Sequence, residues 1–306
     1  MLLCMGEPML ELNQQLAGAE GRVHFLQGHG GDTSNAAIAA ARQGCAVGYI
    51  TAIGEDAPGQ SFLSLWQAEG VDIAHVRRDA AAPTGLYLVT HGASGHEFQF
   101  YRSHSAASRY RAADLPLDAI RAARLFYASG ISLGISESAA DAVLAAIGAA
   151  RQAGVPVALD TNYRPRLWPR ARAAALIHAA MAEAEIALPS LDDATALTGL
   201  SDPDAVLDFY LKLGPRLVAL KMSSAGTYLA TPERRLRIPP FPCRPVDATG
   251  AGDTFCGSFL ARLLAGDAPE QAARYAACAA ALSTQGYGAV APIPDAATVR
   301  AALAAV

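Results

Sequence analysis

Lysine is nearly missing from this chain. Of 24 cationic residues among 306, only Lys212 and Lys221 are lysine. No Gly-Lys dipeptide occurs, which excludes a P-loop, because that turn closes a lysine onto the phosphates. Cysteine is sparse and scattered. Cys4, Cys45, Cys243, Cys256 and Cys278 contain no CxxC pair, so neither a zinc ribbon nor a disulfide framework is indicated. No apolar run reaches membrane-spanning length. The opening MLLCMGEPML has no basic segment and meets Glu7 and Glu11 at once, so it reads as a first strand rather than a signal peptide. Charged residues make up 17% and the net charge is −4, which gives no global basic field for nucleic acid or an acidic membrane. Internal repeats and low-complexity linkers are absent. What is left is a globular, reduced chain, 52% apolar and rich in alanine, expected in the cytoplasm.

What is present alternates. Leu2 to Gly6 reads as a buried strand, followed by a helix from about Thr33 to Gln43 that Gly44 ends. AVGYITAIG reads as a strand. Phe62, Leu65, Trp66 and Glu69 then fit an amphipathic helix closed by Gly70. Further strands are expected at 124–129, 155–160, 185–189 and 216–221, with helical stretches between most of them. Short apolar strands separated by helices predict a mostly parallel sheet covered on both faces. The segment 84–102 breaks the rhythm: it alternates, turns at Gly-Ala-Ser-Gly and alternates again, as a β-hairpin does. Arg22 to Gln27 supplies a strand beside it. Such a hairpin is either a decoration or a flap over a site.

The stretch VDATGAGDTFCGSFLARLLAG (246–266) carries the chemistry. Phe255, Phe259 and Leu263 recur at helical spacing, as do Cys256, Leu260 and Leu264, so a helix starts close to Asp253 and ends near Gly266. Its first backbone N–H groups lack intrahelical acceptors and carry partial positive charge, and the glycines let that backbone approach an anion closely. Asp253 is then either an N-cap, worth roughly 1 kcal/mol, or a general base set beside a phosphoryl group held by the helix start.

The same stretch resembles the C-terminal signature of the ribokinase or PfkB family of sugar kinases. GHGGDTSNAAIAAARQGCAVGYITAIGEDAPGQ (28–60) resembles that family's other signature, in the right order, and the resemblance covers essentially the whole chain. It implies a three-layer α/β/α sandwich with a mostly parallel sheet. It also implies one domain over 1–306 and a small discontinuous β-lid formed by about 8–27 and 83–104. By that resemblance Asp253 is the base that deprotonates the acceptor hydroxyl. The amides of Ala251 and Gly252, with Gly250 shaping the turn, hold the transferring group. ATP and Mg²⁺ are the implied cofactors.

TGLYL (84–88), FYRSHSAAS (100–108), LDTNYRPRLW (159–168) and LPSLDDATALTG (188–199) are similar to family members that act on 2-keto-3-deoxygluconate. Arg102 and Arg164 suit such a substrate, because guanidinium grips a carboxylate bidentately; either could instead pair with a nearby acid. Gly30, Gly31 and Asn35 match the family's sugar loop, Tyr87 a lid residue facing the sugar, and Phe100 stands on the face of Arg102 where many relatives have tyrosine. On the nucleotide side Ser190, Lys221, Ser223 and Gly226 match the ATP site together with Gly250 and Gly252, and Ser223 replaces a glycine of the family pattern. Asp193 corresponds to an acidic residue that acts on magnesium, here through water. Asp247 and Thr249 sit where some relatives bind a monovalent cation, K⁺. The sugar stays open among 2-keto-3-deoxygluconate, its galactonate epimer and a neutral ketose such as fructose. An exposed lid edge would pair two subunits, so a homo-oligomer is expected.

Two rival motifs are present. Gly130-Ile131-Ser132-Leu133-Gly134 satisfies the GxSxG pattern of α/β-hydrolases, with His29-Gly30-Gly31 as an oxyanion-hole echo and His178 as the one histidine after the serine. Gly286, Gly288 and Ala291 match a dinucleotide fingerprint by spacing, but they follow a helical stretch and run into prolines, the reverse of strand–loop–helix. A non-catalytic sugar-binding protein on a kinase fold is the third alternative. It should lack Asp253 or its glycines, and all are present. The histidines other than His178 form no metal-ligand grouping and read as surface or hairpin residues.

Overall fold

The computed structural model describes residues 1–15, 22–92 and 95–305. Among the described residues the larger sheet has ten strands. Its spine runs Leu217–Lys221, Ile186–Ala187, Val157–Asp160, Leu125–Ser129, Leu2–Met5, Val47–Gly54, Val71–Asp72, all parallel, and Val76–Asp79 also pairs in parallel with Val47–Gly54. Thr227–Ala230 and Arg235–Ile238 extend one edge in antiparallel fashion.

The strands alternate between two cores because successive side chains leave opposite faces. Leu3, Met5, Phe126, Ala128 and Leu159 join the core formed with Val143, Ile147, Ile177, Leu207 and Tyr210. Leu2, Cys4, Leu125, Tyr127 and Ala158 join Ile38, Phe62, Trp66, Phe259 and Ala276 on the other side. Both faces are therefore covered by helices, the three-layer arrangement the sequence predicts.

The second, separate sheet runs His24–Gly30, Met9–Gln15, Gly85–Gly92, Gly95–Tyr101. The expected hairpin forms, while Ala93 and Ser94, in its expected turn, lie outside the described residues. The expected strand at 22–27 is observed over His24–Gly30 but does not flank the hairpin. Met9–Gln15 lies between them, antiparallel to His24–Gly30 and parallel to Gly85–Gly92. Its sequence MLELNQQ loses apolar alternation after Leu12, so periodicity alone passes over it.

One crossing positions the site. The helix Ala251–Leu264 lies against the helix Asp32–Arg42 with Gly257 at the contact. A Cβ at 257 would stand 2.1 Å from the Ala36 carbonyl oxygen and 2.9 Å from Ala39 Cβ. Only a hydrogen fits there. Gly257→Val should lower unfolding free energy by about 1–3 kcal/mol, the usual cost of overpacking, seen as a lower denaturant midpoint; an unchanged midpoint would contradict the contact.

Candidate active site

The start of the Ala251–Leu264 helix is built by its loop. Gly250 has φ 74, a left-handed conformation, and a Cβ there would lie 2.8 Å from the Ala289 carbonyl oxygen. Asp247 fastens this loop. Its Oδ1 accepts from the Thr249 N–H at 2.9 Å and hydroxyl at 2.6 Å, and its Oδ2 accepts from the Gly288 N–H at 2.9 Å. The Gly286–Gly288–Ala291 segment therefore braces the loop, with no strand before it, and is no dinucleotide fingerprint.

Gly252 differs from Gly250, since its backbone angle needs no glycine and the nearest atom to a Cβ would be Lys221 Nζ at 3.9 Å. Nothing in the protein fills that space. The Ala251 N–H, expected to face a ligand, instead donates to the Ala248 carbonyl at 3.2 Å. Among the described residues the next two amides, Gly252 and Asp253, have no acceptor, so the open pair is shifted one residue along.

Asp253 is not an N-cap, for the helix has no side-chain cap. Its Oδ2 accepts from Asn35 Nδ2 at 2.8 Å across the helix crossing. Desolvation first, then the negative charge of Asp32 and more weakly Asp160, push the Asp253 carboxyl up to about 7, while the Asn35 hydrogen bond and Arg164 pull the other way. The carboxyl thus ionises near neutrality, where a general base is most useful.

Other acids gather around it at the carboxyl ends of the parallel strands, where ligands of such sheets bind. Asp32 is buried and receives Asn162 Nδ2 at 2.9 Å; burial raises its pKa, opposed by Ser129, the Thr33 N–H and Arg164. Asp160, ending its strand, accepts from Lys221 Nζ at 2.6 Å, and Cys256 Sγ lies 3.3 Å from both. Burial is the largest single effect and disfavours the Lys221 charge, but the charges and hydrogen bonds of Asp160 and Cys256 together outweigh it and the net shift is upward. Ser190 caps the helix Leu191–Thr198 by accepting from the Asp193 N–H at 3.1 Å. Asp193 itself accepts from the Thr161 hydroxyl at 3.2 Å and is raised by burial and then by Asp160.

The glycine that the family pattern has at 223 is compensated in the backbone: Ser223 adopts φ 50, a left-handed angle glycine would hold without strain. Gly226 is required, since a Cβ would meet the Ile238 carbonyl oxygen at 2.2 Å.

The two arginines separate. Arg102 is paired with Glu7, which is buried and also accepts from the Ser105 hydroxyl. Arg164 is exposed, donates to the Tyr163 carbonyl at 3.0 Å, and forms no salt bridge with an acid among the described residues. Its charge is nevertheless felt by Asp32, Asp193 and Asp253.

Tyr87 is buried and donates its hydroxyl to Glu11, with Phe100 and Phe98 rings at 5.7 and 6.2 Å; burial and Glu11 raise its pKa. A Cβ on Gly30 would touch that hydroxyl at 2.6 Å, and Gly31, at φ 101, would meet the Glu7 carbonyl oxygen at 2.4 Å. These glycines let the turn pass beneath the second sheet.

The hydrolase motif falls away. Ser132 is buried with its hydroxyl donating to the Met5 carbonyl at 3.2 Å, while His178 packs against Phe209 and Tyr210. His29 is half-buried and bonded to Ser61 at 2.6 Å, not a surface residue.

Sequence reasoning missed Glu7, Glu11, Asp32, Asp160, Asn162 and Cys256 as parts of this cluster. Asp160 and Glu7 could have been found, since each stands at or just past the carboxyl end of a predicted parallel strand.

A general base at 253 would work only when ionised, so on that reading kcat/KM should rise with pH through about 7. Asn35→Ala removes a hydrogen bond that favours the charged form, so the acid limb should move to higher pH. A limb that stays in place would show that Asp253 does not set it.

The pfkB family carbohydrate kinase model matches residues 2–296. The 2-dehydro-3-deoxygluconokinase of Thermoproteus tenax is 32% identical over 289 residues, covering 92% of this chain and 87% of that one. Fructokinase-1 of Oryza sativa subsp. japonica is 30% identical over 308 residues, covering 96% and 94%. The solved structure of fructokinase with bound ATP from Xylella fastidiosa superposes with a TM-score of 0.90 at 25% identity, covering 99% and 98%. With that match spanning nearly its whole length, the chain belongs to the pfkB family of carbohydrate kinases.

Proposed function

We propose that this kinase transfers the γ-phosphoryl group of ATP to the terminal primary hydroxyl of 2-keto-3-deoxygluconate, giving the 6-phosphate. The observation that carries the reading is the placement of Asp253: a buried carboxyl held by Asn35 and pushed upward by desolvation and Asp32, beside two open amides at a helix start and a glycine with no neighbour in its side-chain space. Asp253 takes the proton of the acceptor hydroxyl as its oxygen forms the new bond to phosphorus and the bond to ADP breaks. The Gly252 and Asp253 amides face the charge on the transferring group, aided by the helix dipole. Lys221, held by Asp160 beside Gly252, adds a fixed cation on the nucleotide side, with Ser190, Ser223 and Gly226 shaping that region.

Among the described residues no three His, Cys, Asp or Glu side chains group as a metal site. Magnesium brought in with the nucleotide would be held by Asp193 through water. Bound, it supplies positive charge to the phosphates. A monovalent cation is proposed beside Asp247 and Thr249, where the loop closes over the helix start.

The acidic sugar rests on Arg164, the one of the two arginines left without an acid. Arg102, neutralised by Glu7, would act by holding the second sheet in place. That sheet is proposed as a lid over Gly30, Gly31 and Tyr87, whose closure would exclude water from the transfer. It exposes Phe25, Leu26, Phe100 and Tyr101, an apolar surface that would suit pairing with a second copy. Among the described residues no helix is long and apolar enough to cross a membrane, and all five cysteines are free, in keeping with a proposed cytoplasmic location.

Fructose phosphorylation is the alternative, favoured by the loss of Arg102 as a free cation. An ADP-release assay across both sugars decides between them. Arg164→Ala should weaken kcat/KM for the acidic sugar by at least about tenfold, the scale of a charge-assisted contact, and leave a neutral ketose nearly unchanged. Equal losses, or a wild-type preference for fructose, would reject the acidic substrate.

A further inference from the structure

Arg42 lies at the far end of the helix whose Asn35 holds Asp253, and no role above uses it. It stands two turns past Asn35 in the Asp32–Arg42 helix, so the two share a face about 10 Å apart along the axis. Every guanidinium nitrogen of this half-buried side chain is engaged. Nε and Nη2 fork onto the Glu69 carboxylate at 2.9 and 2.6 Å. Nη1 donates to the Val290 carbonyl at 3.1 Å and to that of Ile293. Gln43, the next residue, adds a second fastening: its Nε2 donates to the Pro294 carbonyl at 2.9 Å, and its Oε1 accepts from the Tyr275 hydroxyl at 2.7 Å.

These carbonyls belong to a segment with no regular structure of its own. Between the helices Pro269–Ser283 and Ala296–Ala304 the chain forms neither helix nor strand, so no ladder fixes it. Its near end supports the start of the Ala251–Leu264 helix. There the Thr284 carbonyl accepts from the Val246 and Asp247 N–H groups at 2.7 and 3.0 Å, Gly288 donates to Asp247, and Ala289 lies against Gly250. Arg42 holds the far end. One rigid helix thus reaches the Asp253 carboxyl through Asn35 and the segment behind the open amides through Arg42. Glu69 alone would neutralise the guanidinium; what the bonds to Val290 and Ile293 add is the position of that segment. The compact ammonium of a lysine cannot make the fork and the carbonyl contacts together.

We propose that Arg42 is a positioning residue for phosphoryl transfer. Gripped by Glu69, it sets the 286–293 segment and, through Gly288, Asp247 and Gly250, places the open amides of Gly252 and Asp253 against the carboxyl that Asn35 holds. This rests on reading that helix start as a phosphate cradle, and it does not depend on which sugar is used. Its effect falls on ATP and on the transfer step, because the Gly30–Gly31 turn is not in this chain of contacts.

The test compares steady-state kinetics and calorimetric binding of Arg42→Lys and wild type, with the sugar that wild type turns over best. In the variant kcat should fall by at least about tenfold, since small displacements at a reacting centre are costly. ATP affinity should fall by at least about threefold, the scale of one weakened hydrogen bond. Sugar affinity without ATP should stay within about twofold of wild type, as for sites that share no contacts. In an Asp247→Ala background, where the route is already cut, Arg42→Lys should lower kcat by less than about threefold more. Glu69→Gln serves if Arg42→Lys does not fold, and should show the same split between ATP and sugar. A lower unfolding midpoint alone, equal losses of ATP and sugar affinity, or full additivity with Asp247→Ala would overturn the proposal. Gly252→Val, which fills the space beside Lys221, separates the two readings. Unchanged ATP affinity there would reject the phosphate cradle and the role of Arg42 with it, whereas a loss there with Arg42→Lys unaffected would reject only the role of Arg42.

Discussion

The site depends on a backbone contact with no room for a side chain. Gly257 meets the Ala36 carbonyl where the Ala251–Leu264 and Asp32–Arg42 helices cross. Asn35 and Asp253 lie one residue and one turn from that contact, and their 2.8 Å hydrogen bond spans it. Two parts of the chain 218 residues apart are thereby fixed in register: the loop expected to meet the sugar and the helix start expected to meet phosphate. Spread the crossing and Asp253 loses its hydrogen bond from Asn35.

Around that contact the electrostatics are arranged by burial. Asp32, Asp160, Asp193 and Asp253 crowd the carboxyl ends of the strands. The lysine at 221 neutralises Asp160, and the exposed Arg164 offsets part of the charge on the others. The result is a division of labour among like groups. Asp160 stays tied to an ammonium, while Asp253 is pushed by desolvation and its neighbours into the range where it can take and release a proton. The near absence of lysine gives Lys221 added interest, since it is one of two in the chain and stands next to the empty space at Gly252.

Much of this was legible in the sequence, for identifiable reasons. The parallel strands and the helix after GAGD are set by short-range periodicity, and their observed limits lie close to the expected ones. Asp253, Asn35, Gly250 and Gly252 stand in long motifs whose glycines have few other uses. What escaped was long-range. Met9–Gln15 lacks alternation and owes its strand to partners on both sides. The pairing of Arg102 with Glu7, the Lys221–Asp160 ion pair and the Asn162–Asp32 bond join residues 95, 61 and 130 positions apart, which no local pattern encodes. The shift of the open amides from Ala251 to Asp253 depends on how the Asp247 loop turns, a matter of a single hydrogen bond.

The central claim is that the Asp253 carboxylate removes the acceptor proton. The most direct measurement is the turnover of Asp253→Asn, which keeps the side chain's shape and removes its basicity. The account predicts kcat lower by at least about 10², with the unfolding midpoint and the sugar affinity retained. Turnover close to wild type would contradict it.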